Sequence, residues 1–441
     1  MLVHGTLIHA PLPGDLEIIE DALVTVDVHG TISNVESLVD VSSLEMEHDD
    51  ELIRLGQGQY LLPGLVDLHV HAPQWPQLGK ALDLPLNEWL QQHTFPLEAR
   101  YGDLDFARRS YESLVSALLA NGTTTAAYFG TIHVAATRLL ADIAAEKGQR
   151  AVIGKVAMDD TDQCPDFYRD PTVQSGLDGT RELIEYVQGK DSDLLHAAVT
   201  PRFIPACTDA MLEGLAGIAD EYGCHIQTHC SESDWEHRHV IDRLGASDTL
   251  SLDRFGLLTD RTILAHSIFV DNQDLATIKS RDSGIAHCPL SNLYLSHAVF
   301  PARQALDRGL KVGLGTDIAG GASPSIFDNC RMAVSASRAL EDGVDPTLPS
   351  DERGTAGAGI DFREAFWMAT AGGARALGLN TGRFAAGYAF DAIVIDTQVD
   401  DSNLTAWEGM DSHDDVLQKI VYNAARSNVT SVWVQGRRVS S

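Results

Sequence analysis

The chain has 441 residues, longer than a single hydrophobic core of ~250–300 residues supports, so one large domain with an accessory domain is expected. Its 32 basic and 63 acidic residues, only seven of them lysine, give a net charge of −31, a field that repels nucleic acid, anionic lipid and free nucleotides but not a neutral base. No apolar run approaches the ~18 residues of a membrane span, no leader peptide is visible, and six cysteines lie scattered without a C-x-x-C pair, which predicts reduced thiols in a cytoplasmic protein.

Residues 1–61 alternate apolar and polar side chains around glycine turns, as in LVHGTLIHA and DALVTVDVHGTISNV, and read as β-strands. From Leu62 onward, short apolar runs alternate with amphipathic stretches. Predicted strands are Leu65–His69, Thr123–Phe129, Arg150–Met158, Leu195–Phe203, His225–His229, Thr262–His266, Ile285–Cys288 and Lys311–Asp317. Helical patterns include Ala107–Ala120, Thr131–Lys147, Asp209–Tyr222 and Pro301–Arg308. Eight such units predict an α/β fold, a (β/α)8 barrel of TIM type spanning 62–380. An open doubly wound sheet would need an early G-x-G-x-x-G turn, and there is none. AFDAIVIDT and VTSVWVQGRRV return to β character, so 381–441 is expected to join 1–61 in one small β-sandwich-like domain. Two long insertions, 72–106 and 320–360, are candidate lids or interface pieces.

The chemistry concentrates at predicted strand ends. His69 and His71 are i and i+2 on a strand, so they point the same way and can share one metal. H-x-H alone is weak, because 17 histidines make roughly 0.65 such pairs by chance. A second pair, His237 and His239, falls in SDWEHRHVIDRL, a predicted helix whose i and i+2 positions diverge by ~200°, and reads as surface decoration. His229, His266 and Asp317 each end a further strand. A barrel gathers its strand C-termini at one face, so these five candidates converge there. Mixed imidazole and carboxylate donors suit one zinc ion per chain, with a position left for water. Glu232, three residues past His229, stands on the loop leaving strand five and can reach a substrate without binding metal. No G-x-S-x-G elbow, P-loop or P-C-x-x-C zinc signature is present. Arg202 occupies the end of strand four, where a lysine could bridge two metals, so a single metal is favoured.

With these residues in hand, the chain resembles the amidohydrolase superfamily and, within it, the guanine deaminase family. PGLVDLHVHAPQW, LDLPLNEWLQQHTFPLEARY, TPRF, THCSES, TILAHS, IAHCPLSN and VGLGTDIAGG carry the likeness over most of the chain. The resemblance implies that His69, His71, His229 and Asp317 ligate zinc and that His266 orients the attacking water. It implies a purine base held by Gln74, Trp75, Arg202, Phe203 and Glu232, beside His71 and His229. It also implies a homodimer and hydrolytic deamination, with Asp317 taking the water proton and Glu232 protonating the ring. Other readings are a deaminase of cytosine, adenine or a triazine, and a non-catalytic scaffold, which would be expected to lack some of the ligands.

Overall fold

The computed structural model describes residues 1–39 and 51–440; positions 40–50 of the predicted N-terminal β-segment lie outside the described residues. The chain opens with β1 (Leu2–His9), β2 (Glu17–Val26), β3 (Ile32–Ser37), β4 (Leu52–Arg54) and β5 (Gln59–Pro63). The central strands are β6 (Leu65–His71), β7 (Thr123–Phe129), β8 (Arg150–Gly154), β9 (Val156–Ala157), β10 (Leu195–Pro201), β11 (His225–Cys230), β12 (Thr262–His266), β13 (Gly284–His287) and β14 (Lys311–Leu314). The C-terminal part adds β15 (Ala392–Asp396), β16 (Val429–Val434) and β17 (Arg437–Ser440).

The two chain ends form one eight-stranded sheet in the order β17-β16-β15-β5-β1-β2-β3, with β4 beside β1. β5 accepts β15 antiparallel, Leu62 opposite Ile393, so the first and last parts of the chain share one set of ladder bonds. Val3, Leu7, Val24, Leu61, Phe390 and Trp433 pack into its own apolar cluster. Not all of the C-terminal segment joins this sheet. The helix His413–Asn423 packs on Ile326–Asp342 and Phe362–Trp367, and Arg363 binds Asp414 there.

The barrel follows β5 after one residue, Gly64. A Cβ at Gly64 would come 2.2 Å from Thr124 Oγ1, so a larger residue would force β6 away from β7. The order β6-β7-β8-β10-β11-β12-β13-β14 is parallel throughout, and β9 continues the line of β8 after Lys155. Every residue of β6 and of β7 is buried, as expected for strands covered on both faces. The covering helices are bounded by ordinary caps: Asp103, Thr172 and Thr208 accept N-terminal amides of Leu104–Ala120, Val173–Gln188 and Asp209–Tyr222. Four predicted strands end early, Leu195–Phe203 at Pro201 and Ile285–Cys288 at His287 by two residues or fewer, the other two for a visible reason. Arg150–Met158 breaks at Lys155, whose ammonium turns to the buried Asp170 at 2.5 Å. Lys311–Asp317 stops at Leu314, and Asp317 then takes a left-handed φ of 48° that ladder pairing would not allow. Among the described residues, no helix is long and apolar enough to cross a membrane, and all six cysteines are buried and free.

Arg150, at the start of β8, ties the barrel to the terminal sheet. Its Nε and Nη2 reach the Asp391 carboxylate at 3.1 and 3.3 Å, and Nη2 also donates to Gln435 Oε1 at 2.8 Å. Both charged groups are buried. Asp391→Ala should therefore leave an uncompensated guanidinium and lower stability by ~3–5 kcal/mol in urea unfolding, with metal content unchanged. A loss below ~1 kcal/mol, the worth of an exposed pair, would show that the clamp is not structural.

Candidate active site and metal centre

The site is built on the seam that closes the barrel. Asp67, in the middle of β6, is fully buried and accepts from the Thr316 amide at 2.9 Å and the His69 amide at 3.2 Å. Its other oxygen takes the Thr316 hydroxyl at 2.5 Å. Two backbone bonds complete the seam, Asp317 N–H to His69 O at 2.8 Å and His71 N–H to Ile318 O at 2.9 Å. The first and last strands are thereby locked in a register that brings Asp317 Oδ1 to 3.3 Å from His69 Nε2 and 3.5 Å from His71 Nε2. Burial pushes the Asp67 carboxyl up to about 7.

The other strand ends supply the rest. His229, on β11, donates Nδ1–H to the Arg202 carbonyl at 2.5 Å, which leaves Nε2 as a lone-pair donor 2.9 Å from His71 Nε2. His266, at the end of β12, donates Nδ1–H to Asn292 Oδ1 at 2.9 Å. Its Nε2 faces Glu232 Oε1 at 3.7 Å and Asp317 Oδ2 at 3.9 Å. Burial, with imidazole neighbours adding to it, holds His69, His71 and His229 well below the usual histidine range, so all three are neutral. Burial, then the Asp317 charge, push the Glu232 carboxyl well above the usual carboxylate range, which favours its neutral form.

These donors fit a divalent cation. Ligand atoms of His69, His71 and Asp317 lie within 4.8 Å of one another, as do those of His69, His229 and His266. Both ring nitrogens of His69, Nδ1 of His71 and Nε2 of His266 are buried without a protein hydrogen-bond partner. Neutral imidazoles crowded around one carboxylate, several with unused lone pairs, are poor packing for an apolar core and good packing for a metal of borderline hardness.

Above the cluster lies a narrow cavity lined by His71, Gln74, Arg202, Phe203, His229, Glu232 and Asp317, and roofed by Leu86, Trp89 and Leu90 from the 72–106 insertion. Of the residues predicted to touch a substrate, Trp75 alone is not on this wall. It lies on the short 3-10 turn Ala72–Gln77, where successive side chains are ~120° apart, so Gln74 faces inward and Trp75 outward. The Trp75 indole donates to Ser113 Oγ at 3.0 Å. A residue that no sequence motif singled out organises the wall instead. Glu98 is buried and forms a two-pronged pair with Arg202, Nη1 to Oε2 at 2.7 Å and Nη2 to Oε1 at 3.1 Å. Gln74 Nε2 donates to the same carboxylate at 2.8 Å. Arg202 is thus both an ion-pair partner and a wall of the cavity; only the acid at the end of TFPLE could have hinted at its mate. His237 also differs from expectation. It is half-buried, and its Nδ1 binds the buried Asp248 at 2.8 Å, so it is no surface decoration.

A parallel barrel that holds imidazoles and one aspartate at its strand ends, under a small lidded cavity, defines a metal-dependent hydrolase. The chain belongs to the amidohydrolase family, whose model matches residues 60–439. It is 38% identical to a probable guanine deaminase of Schizosaccharomyces pombe, over 99% of this chain and 82% of that one. It is 36% identical to guanine deaminase of Homo sapiens, over 99% and 96% of the two chains. Among solved structures, a guanine deaminase from C. acetobutylicum with guanine bound in its active site superposes with a TM-score of 0.89, at 30% identity over 99% of each chain.

Among the described residues, Asp317 is the one carboxylate within 4 Å of both strand-one imidazoles. Asp317→Ala should be purified without bound metal and without activity, and elemental analysis alongside an activity assay would check both. Full metal content with wild-type turnover would remove Asp317 from the ligand set.

Proposed function

We propose that the protein is a zinc-dependent guanine deaminase, converting guanine and water to xanthine and ammonia. The observation that carries this reading is Arg202 on the cavity wall, a group that only donates hydrogen bonds, beside the flat face of Phe203. Guanine presents a carbonyl at C6, where adenine presents an amine. The guanidinium can bond the first but meets the second donor to donor. Glu98 holds the guanidinium in place, so its remaining N–H groups are aimed before substrate arrives. Phe203, Leu86, Trp89 and Leu90 offer apolar surface to the flat ring. The narrowness of the slot suits one flat free base better than a nucleotide. The net charge of −31 likewise disfavours a phosphorylated substrate.

His69, His71, His229 and Asp317 are the residues we assign to the metal, and zinc is the ion their donor set favours. When bound, it acidifies water and supplies positive charge that favours the ionised form of Asp317. His266, whose Nε2 retains its lone pair, accepts a hydrogen bond from the attacking water and orients it. Asp317 takes the water proton as the oxygen adds to C2 of the base. Glu232, neutral because it is buried beside Asp317, gives its proton to the ring nitrogen next to C2. Asp317 then passes the proton it took to the exocyclic amine, the C–N bond breaks and ammonia leaves, and the C2 hydroxyl gives its proton back to Glu232 as the carbonyl of xanthine forms.

The direct test is ammonia release from guanine by purified protein, before and after treatment with a chelator and after zinc is returned. Activity that survives complete metal removal would refute the metal-dependent reading. Glu232→Gln keeps the shape of the side chain but has no proton to give. Its turnover should fall at least ~10²-fold while metal stays bound. A turnover close to wild type would move the proton donor elsewhere. Arg202→Ala should cut kcat/KM for guanine at least ~10-fold and narrow its lead over adenine, a ratio that mere loss of stability does not move. Should the variant keep the wild-type preference, Arg202 serves only its pair with Glu98.

A further inference from the structure

Behind the cavity wall, a set of acids is buried with no arginine or lysine paired to it among the described residues. Glu236 is fully buried on the helix Asp234–Leu244, and Asp248 is fully buried on the next helix, Asp248–Arg254. Glu236 Oε2 accepts the Glu232 amide at 2.7 Å. Its other oxygen, Oε1, and Asp248 Oδ1 are both buried and find no donor, and the two acids are close neighbours on adjoining helices. Asp248 Oδ2 in turn binds His237 Nδ1 at 2.8 Å. Two bare carboxylates in such contact would repel each other, whereas one shared proton turns the contact into a short, strong bond.

The local backbone shows why this matters to the cavity. Ser233 caps the helix by accepting the Glu236 amide at 3.2 Å. The spacing Ser233-x-x-Glu236 is that of a reciprocal capping box, in which the Glu would return to the Ser233 amide. It does not return there; it reaches one residue further back, to Glu232 itself. The turn it grips contains Ser231, a non-glycine residue held at a left-handed φ of 51°. Glu232 therefore leaves β11 on an unusual backbone, and its amide is clamped from behind by the Glu236 side chain.

We propose that Glu236, bridging the Asp248 carboxylate to the Glu232 amide, is a positioning residue that sets where the Glu232 carboxyl stands in the cavity. Burial, then the Asp248 charge, push the Glu236 carboxyl well above the usual range, which agrees with Glu236 carrying the shared proton. The bond to Asp248 raises His237, so its positive charge balances Asp248 on the solvent side. Asp274, bound to Ser247, and Asp234 are the other charged groups facing this cluster. A neutral acid here has two jobs that a glutamine also fits: its carbonyl accepts from Glu232, and its other arm donates to Asp248.

The inference rests on Glu232 being the proton donor, and the two ideas fail separately. Glu236→Leu keeps the volume but loses both bonds. A misplacement of ~1 Å at a reacting group can cost ~10²-fold, so kcat should fall at least ~10-fold with KM and bound metal little changed. Glu236→Asp, one methylene too short to span both partners, should behave like Glu236→Leu and serves as the polar variant if the latter does not fold. Glu236→Gln should restore most of the turnover. The proposal is overturned if the Leu or Asp variant turns over within about two-fold of wild type, or if Gln is as impaired as Asp. If Glu232→Gln also leaves kcat intact, the proton-donor reading has failed. If Glu232→Gln is inactive while Glu236→Asp is not, only the positioning role has.

Discussion

Closure of the barrel is the constraint on which the site depends. A sheet of eight parallel strands has free edges until its first and last members meet, and here they meet through a buried carboxylate as well as through backbone bonds. Asp67 spends its lone pairs on Thr316 and on the His69 amide, so β6 and the end of β14 cannot slide past each other without leaving a buried charge unpaired. A one-residue slip would turn His69 and His71 to the other face and carry Asp317 out of reach. The seam therefore fixes register and metal geometry together.

The same economy is seen on the substrate side. Glu98 comes from the insertion between β6 and the helix Leu104–Ala120, while Arg202 comes from the far side of the barrel mouth. Their pair, with Gln74 on the same carboxylate, joins the lid segment to the wall at a point where all three side chains are buried. A guanidinium alone in this position would be costly to bury; with Glu98 its charge is balanced and its plane is set. The roof residues Leu86, Trp89 and Leu90 cover a site in which burial lowers the histidines and raises Glu232, favouring the neutral form of each.

Parts of this were legible because periodicity and strand-end position are local signals. The predicted strand Leu65–His69 runs two residues further, to His71, and brings the two imidazoles together as the i, i+2 spacing requires. His229, His266 and Asp317 could be placed at the same barrel mouth for the same reason. The resemblance puts Trp75 beside the purine, whereas the 3-10 turn after β6, with its three-residue repeat, turns position 75 away from the cavity wall. His237 was misread because helical spacing excludes a shared ligand with His239 but says nothing about Asp248, which only folding brings alongside.

The sequence by itself determined the class of fold, the five polar residues at its strand ends and the acid three positions past His229, since each follows from side-chain period and from the direction of parallel strands. Only the tertiary structure decided which groups pair across the barrel. Asp67 with Thr316, Glu98 with Arg202, Glu236 with Asp248 and the Glu232 amide: each joins elements distant in the chain or reaches beyond a local capping pattern. Their energies come from burial without water, a property of the folded interior that no single stretch of residues contains.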